Sequence, residues 1–282
     1  MDTINGVSSF CAHQSMAKPD LSDWKNWGLP EAPTFIKLFS LGKNHQTALI
    51  ESAEKKYVIK QLKHSFEQAL RGQNVGQSLG LAPKVYFANN TLLLTEYVEN
   101  TLPSIEHTAQ ALRLLHAYSD SKKPHNESDQ TTTNSILSTC DQYAKSVPTE
   151  LQTLHHRLQS LLKEFDQDTT QHCFCHNDLV NENCLTLEGQ AMFIDWEFSG
   201  VNNPWFDLAS IIVYRELNEA QTTNFLAHYA GWQDKAQQRI FTTSQIAVIW
   251  CDILWHINKF GSNYVPPKHI STEKIETLIT TI

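Results

Sequence analysis

The chain contains no run of lysine or arginine, and its apolar stretches read as too short to cross a bilayer. Acids outnumber bases 30 to 22, a net charge of −8, which argues against nucleic acid as the main partner and would suit a cationic small molecule. The first ten residues, MDTINGVSSF, lack the basic region and apolar core of a secretory leader, so none is expected. Cysteines are few and scattered, at Cys11, Cys140, Cys173, Cys175, Cys184 and Cys251. The Cys173-x-Cys175-His176 cluster has no second Cys or His pair at zinc spacing, so free thiols in a reducing cytoplasm are the expected state. Internal repeats and long low-complexity tracts are also absent from the sequence.

What remains is a globular composition. Of 282 residues, 41% are hydrophobic and 10% aromatic, enough for a substantial core. From about 34 to 98 the pattern is β-rich. Strand-like runs occur at Phe35–Phe39, Thr47–Ile50, Tyr57–Lys60, Lys84–Ala88 and Leu92–Val98, with a Gly-interrupted helical segment over Ser65–Gly80. From Thr101 helical spacing takes over, at Ala109–His116, Leu151–Leu162, Asp207–Leu217, Ala220–Tyr229 and Gln245–Phe260. The polar stretches Ser119–Thr133 and Asp166–Gln171 read as loops. The expected fold class is α+β with two lobes: an antiparallel β-rich lobe over 1–98 and a larger, mostly helical lobe over 99–282.

The residues that carry chemistry are concentrated in His176-Asn177-Asp178-Leu179-Val180-Asn181-Glu182-Asn183 and Phe193-Ile194-Asp195-Trp196-Glu197. Asp178 and Asn183 stand in D-x-x-x-x-N spacing, with Asp195 following, as in the catalytic loop and magnesium-binding Asp of kinases. Phosphoryl transfer needs a carboxylate beside the attacking hydroxyl, and Asp178 fits that role. It also needs hard oxygen ligands for magnesium, which Asn183 and Asp195 can offer. Lys60 ends a strand and suits nucleotide phosphates, and Glu67 is the default carboxylate to pair with it. As an alternative, Glu67 serves the dipole of its own helix. The phosphate-covering loop is poor in glycine: Leu41–Thr47 holds only Gly42. Its neighbours Lys43, Asn44 and His45 could still meet phosphate oxygens. No A-P-E motif follows Asp195, which argues against a protein kinase.

HNDLVNENCL, FIDWEFSG and NPWFDLAS together resemble the choline kinase and aminoglycoside phosphotransferase family, small-molecule kinases of protein-kinase-like fold. Within it, IDWE and the Phe-Asp-Leu-Ala block resemble the choline, ethanolamine and thiamine kinase branches, and Leu114-Leu115-His116 resembles the Leu-His helix end common there. The resemblance implies ATP and Mg2+ as cofactors, Asp178 as catalytic base, Asn183 and Asp195 on the metal, and Lys60 on the phosphates. It further implies that Thr95, Glu96, Tyr97 and Val98 meet adenine through their backbone, and that His176 and Asp207 support the loop. The chain departs from the family at Asn177, where Gly is common, and in the Gly42 loop.

For the acceptor, Asp252 and Trp255 share a helical face with Val248 and Lys259, and a carboxylate beside an indole suits a cation. Trp205, Tyr214 and Glu216 are further candidates. On the same helix Ile246, Ile249, Trp250, Ile253 and Ile257 read as core. The expected acceptor is an amino alcohol such as choline or ethanolamine. The alternatives are thiamine, an aminoglycoside, or a catalytically weak nucleotide-binding relative.

Overall fold

The structure, a computed structural model, describes residues 18–39, 46–61, 66–119, 135–168, 172–230, 238–262 and 264–282. Gly42, Lys43, Asn44 and His45, and the Ser119–Thr133 polar stretch beyond Ser119, therefore lie outside the described residues. The chain divides into two compact units, Met1–His64 with Val85–Tyr97, and Ser65–Lys84 with Val98–Ile282.

The first unit is a five-stranded antiparallel sheet. Its strands are β1 (Thr34–Leu38), β2 (Gln46–Ser52), β3 (Lys55–Gln61), β4 (Val85–Asn89) and β5 (Leu92–Glu96), in the order β1-β2-β3-β5-β4. Alternation decides which side chains go inside: Tyr57 and Ile59 are buried, whereas Lys56 is exposed and Lys60 half-buried. Tyr57 and Ile59 pack with Trp27, Leu29, Ile50 and Leu94. The β2–β3 hairpin turns on Ala53 and Glu54, both at positive φ (48° and 61°), as a two-residue turn of matching twist requires. Glu31 steadies that turn by accepting from the Ala53 amide at 2.7 Å.

The second unit holds helices α1 (Phe66–Ser78), α2 (Ile105–His116), α3 (Ile136–Ala144), α4 (Thr149–Gln167), α5 (Trp205–Tyr214), α6 (Glu219–Ala230), α7 (Gln238–Phe260) and α8 (Thr272–Ile279). It also holds two small antiparallel pairs, β6 (Cys173–Cys175) with β9 (Gly200–Asn202), and β7 (Cys184–Leu187) with β8 (Gln190–Phe193). Helix α7 is central and packs on α3, α4, α5 and α8. Its predicted core face, Ile246, Ile249, Trp250, Ile253 and Ile257, is buried, and Val248 is buried with it. Although α7 is long and apolar enough to cross a membrane, 67% of its most apolar window is buried inside this unit, as in a core helix.

The boundary at 98 needs a correction for one element. Helix α1 precedes that boundary in sequence but belongs with the helical unit. The reason is a pair of glycines one turn apart. A side-chain carbon at Gly72 would meet the Ser199 hydroxyl and come within 2.8 Å of the Trp196 Cβ, and one at Gly76 would overlap the Trp196 ring. The glycines that make the segment a poor helix by propensity allow it to lie directly on the 196–199 segment.

Candidate active site

Strand β6 delivers His176, Asn177 and Asp178 at its end. The loop is held by one carboxylate, Asp207, in the first turn of α5. Asp207 accepts from the backbone amides of His176 and Asn177, both at 2.8 Å, and from Nε2 of His116 at 3.1 Å. Burial works against charging Asp207, but His116 and His176 outweigh it and hold its pKa below the usual carboxylate value. Asn177 bends the loop through φ 65°, a left-handed conformation that Asn tolerates better than most residues; this is why it can stand where the family has Gly. Its side chain is fixed at both ends, donating to Phe198 O at 3.0 Å and accepting from Asn202 at 2.8 Å.

His176 links the loop to the second acidic segment. Its Nε2 lies 3.0 Å from the carbonyl of Ile194, which can only accept, and its Nδ1 lies 3.3 Å from the amide of Asp178, which can only donate. The ring is therefore the neutral Nε2–H tautomer, and burial pushes its pKa down in agreement. One imidazole thus bridges the backbone at Asp178 and the residue before Asp195. Asp195 itself sits at φ 66°, ψ 59°, left-handed and costly for a carboxylate residue by about 1–3 kcal/mol. The Ile194 amide donates to Asn183 O at 3.0 Å, so the segments bearing the two expected metal ligands are stitched together. Asn183 spends its amide nitrogen on Asp178, at 2.8 Å to the carbonyl and 3.0 Å to Oδ2, which leaves Oδ1 as the atom it can offer a cation. One amide oxygen and one carboxylate form a hard-oxygen donor set of the kind magnesium accepts.

The acceptor candidates separate. Tyr214, at the end of α5, donates to Asp252 Oδ1 at 2.9 Å. Burial, then the charges of Asp252 and Asp178, push the Tyr214 hydroxyl far above its usual pKa, so it stays a donor. His256 shares its Nδ1 between the Asp252 carbonyl at 2.9 Å and Oδ2 at 3.1 Å. Its ring stacks on Tyr264 at 4.4 Å, while Trp255 meets it edge-on at 4.8 Å. Asp252, Trp255 and Tyr214 therefore come together. Trp205 does not join them: it is buried in the core and packs edge-on against Phe241. Glu216 is also apart, exposed on the turn after α5 and 3.3 Å from His269.

In the sheet unit, Lys60 is half-buried on β3. Glu96 pairs with Lys55 at 3.3 Å, and the Tyr97 amide donates to Lys56 O at 3.4 Å. Val98 is buried and belongs to the helical unit. Glu67 is exposed in the first turn of α1, where a carboxylate favours the helix dipole. Three contributors carried little sequence signal. Asn181 donates to the Tyr214 carbonyl at 2.9 Å, Asn202 donates to Asn177, distant in sequence, and Tyr264 stacks on His256 from beyond the end of α7. His256 could have been found, since it stands at i+4 from Asp252.

The profile of the phosphotransferase enzyme family, APH, matches residues 91–240, more than half of the chain. LicA of Haemophilus influenzae is 26% identical over 220 residues, which cover 71% of this chain and 64% of LicA. The match thus spans less than two thirds of that relative. Among solved structures, LicA in complex with AMP aligns with a TM-score of 0.66 at 20% identity, covering 89% of this chain and 93% of that one. The choline kinase LicA from Streptococcus pneumoniae gives 0.63 at 17% identity, covering 87% and 92%. These likenesses establish the two-lobed α+β, kinase-like fold expected from the sequence. With the family profile running through the His176–Asn183 loop, Asp195 and α5, the chain belongs to the phosphotransferase enzyme family.

Proposed function

We propose that the protein is a kinase that moves the γ-phosphoryl of ATP to the hydroxyl of a small cationic amino alcohol of the choline or ethanolamine type. The observation that carries this reading is the chain of contacts from the Asp178 loop to the acidic, aromatic group on α7. Asn181 of that loop donates to the Tyr214 carbonyl, Tyr214 donates to Asp252, and His256, which Asp252 holds, packs against Trp255 and Tyr264. A carboxylate beside aromatic faces suits a cation, each face contributing about 0.5–2 kcal/mol. The LicA complex with AMP supports nucleotide use.

In this reading Asp178 orients the acceptor hydroxyl and takes its proton as the oxygen bonds to phosphorus, and ADP leaves. Asn183 and Asp195 would hold magnesium, which when bound neutralises phosphate charge. Lys60 binds the phosphates, and the backbone at Glu96–Val98 meets adenine. Magnesium-dependent ATP consumption, measured with choline, ethanolamine, thiamine and kanamycin in parallel, tests the assignment. Turnover with choline or ethanolamine is expected, with Asp178→Asn lowering kcat about 10²–10⁴-fold. Preference for thiamine or kanamycin would move the acceptor class. Turnover unaffected by Asp178→Asn would remove the catalytic assignment.

A further inference from the structure

Beside the loop anchor lies a second cluster that phosphoryl transfer does not use. Strand alternation puts Cys173 and Cys175 on one face of β6, with their sulfurs 3.7 Å apart. Two thiolates on a tetrahedral zinc, each about 2.3 Å from the metal, stand about 3.8 Å apart. The third member is His116, the last residue of α2; the Cys173, Cys175 and His116 ligand atoms all lie within 4.8 Å of one another. The hydrogen bonds of the His116 ring distinguish its two nitrogens. Nε2 faces the Asp207 carboxylate at 3.1 Å and Nδ1 faces the Tyr229 hydroxyl at 2.8 Å, so the proton belongs on Nε2 and Nδ1 carries the lone pair. A carboxylate behind the distal nitrogen is the arrangement that orients and strengthens histidine ligands to zinc.

We propose that Cys173 Sγ, Cys175 Sγ and His116 Nδ1 form a binding site for a thiophilic divalent cation, with zinc as the probe. Binding exchanges the Tyr229 hydroxyl at Nδ1 for the metal and releases two thiol protons to solvent. The two thiolates neutralise the dication, so no net charge is added beside Asp207. Cys175 is buried and Cys173 half-exposed, so entry is from the Cys173 side. The fourth position falls to water or to Tyr229. Because Asp207 also holds the His176 and Asn177 amides, an occupied site would bear directly on the anchor of the catalytic loop.

The full chain, loaded with zinc chloride and dialysed, is assayed by elemental analysis, and separately titrated with cobalt(II) for a thiolate-to-cobalt charge-transfer band. One retained zinc per chain and the band are expected, both lost in Cys173→Ser. Both should persist in Cys251→Ser, whose thiol is outside the cluster, and in Asp195→Asn, which removes the proposed magnesium ligand. Circular dichroism checks that Cys173→Ser is folded, and His116→Gln, which also deletes a ligand, provides a second variant. Failure to retain zinc, or retention unchanged in folded Cys173→Ser or His116→Gln, would overturn the site. Loss in Asp195→Asn would reassign the metal to the nucleotide site.

Discussion

Asp207 and Asp252 are two carboxylates with similar neighbours and different roles. Each is approached by histidine, and each lies within the helical unit. Asp207 has no exposed side-chain surface and receives two backbone amides and one imidazole, so its accepting capacity is nearly filled by the protein. Asp252 receives one hydroxyl and a shared imidazole N–H, and 11% of its side chain remains exposed. A saturated carboxylate holds structure; one with spare acceptor capacity at an aromatic surface can hold a ligand. The difference lies in how much of each carboxylate the fold has already used.

The comparison breaks most directly at Asp207. Asp207→Ala leaves two buried amides and His116 without their acceptor and should cost about 3–5 kcal/mol, read from the urea midpoint. Asp252→Ala should cost much less, and an equal loss would make Asp252 structural as well. Acid gives the next effect. The pKa of His176 lies below its ordinary value of 6.5, so the stability it contributes is present above pH 6.5 and lost as pH falls through its folded value. Asp207, lowered from 3.8, adds a second loss below that pH. A unfolding midpoint that stays flat from pH 7 to 4 would contradict a neutral, buried His176.

Smaller effects sharpen the other half. Asp252→Asn should raise KM for choline about tenfold with kcat and the KM for ATP little changed, because it removes ground-state binding of the cation. If kcat falls instead, Asp252 acts on the chemistry and not only on the acceptor. Trp255→Ala should give a rise of about two- to tenfold for choline and none for a neutral alcohol. Equal effects on both acceptors would return Trp255 to packing.

The strands of the sheet and the long helices were readable because their signals are local. Tyr57 and Ile59 stand two apart between Lys56 and Lys60, and Leu154, Leu158 and Leu162 repeat at helical spacing. The Asp178, Asn183 and Asp195 spacing was readable for the same reason. What escaped depends on partners far along the chain. Helix α3 follows a polar tract, and its first amides are capped by Asp166, which donates nothing to local pattern: it accepts from Ile136 and Leu137 at 3.0 Å each. Strands β6 and β9 have three residues each, too short to show a period. The left-handed turn at Asp195 is one that Asp tolerates better than most residues, but that weak preference does not single out this position in the sequence. Trp205 and Asp252 look alike as candidates in sequence. Their partners separate them: Trp205 packs on Phe241 in the core, whereas Asp252 accepts from Tyr214 and His256.

The glycine pair of α1 has a consequence for how the protein can be divided. The sheet unit is assembled from two stretches of chain, with α1 between them assigned to the other unit. No single cut can therefore release either unit whole. A fragment starting at Val98 would lack the helix whose Gly72 and Gly76 press on Trp196, and an indole now 2% exposed would face water one residue from Asp195. Such a fragment should aggregate, whereas one that regains residues 65–84 through a linker should not. The inheritable module here is discontinuous, and an insertion or swap that respects sequence order alone would break it.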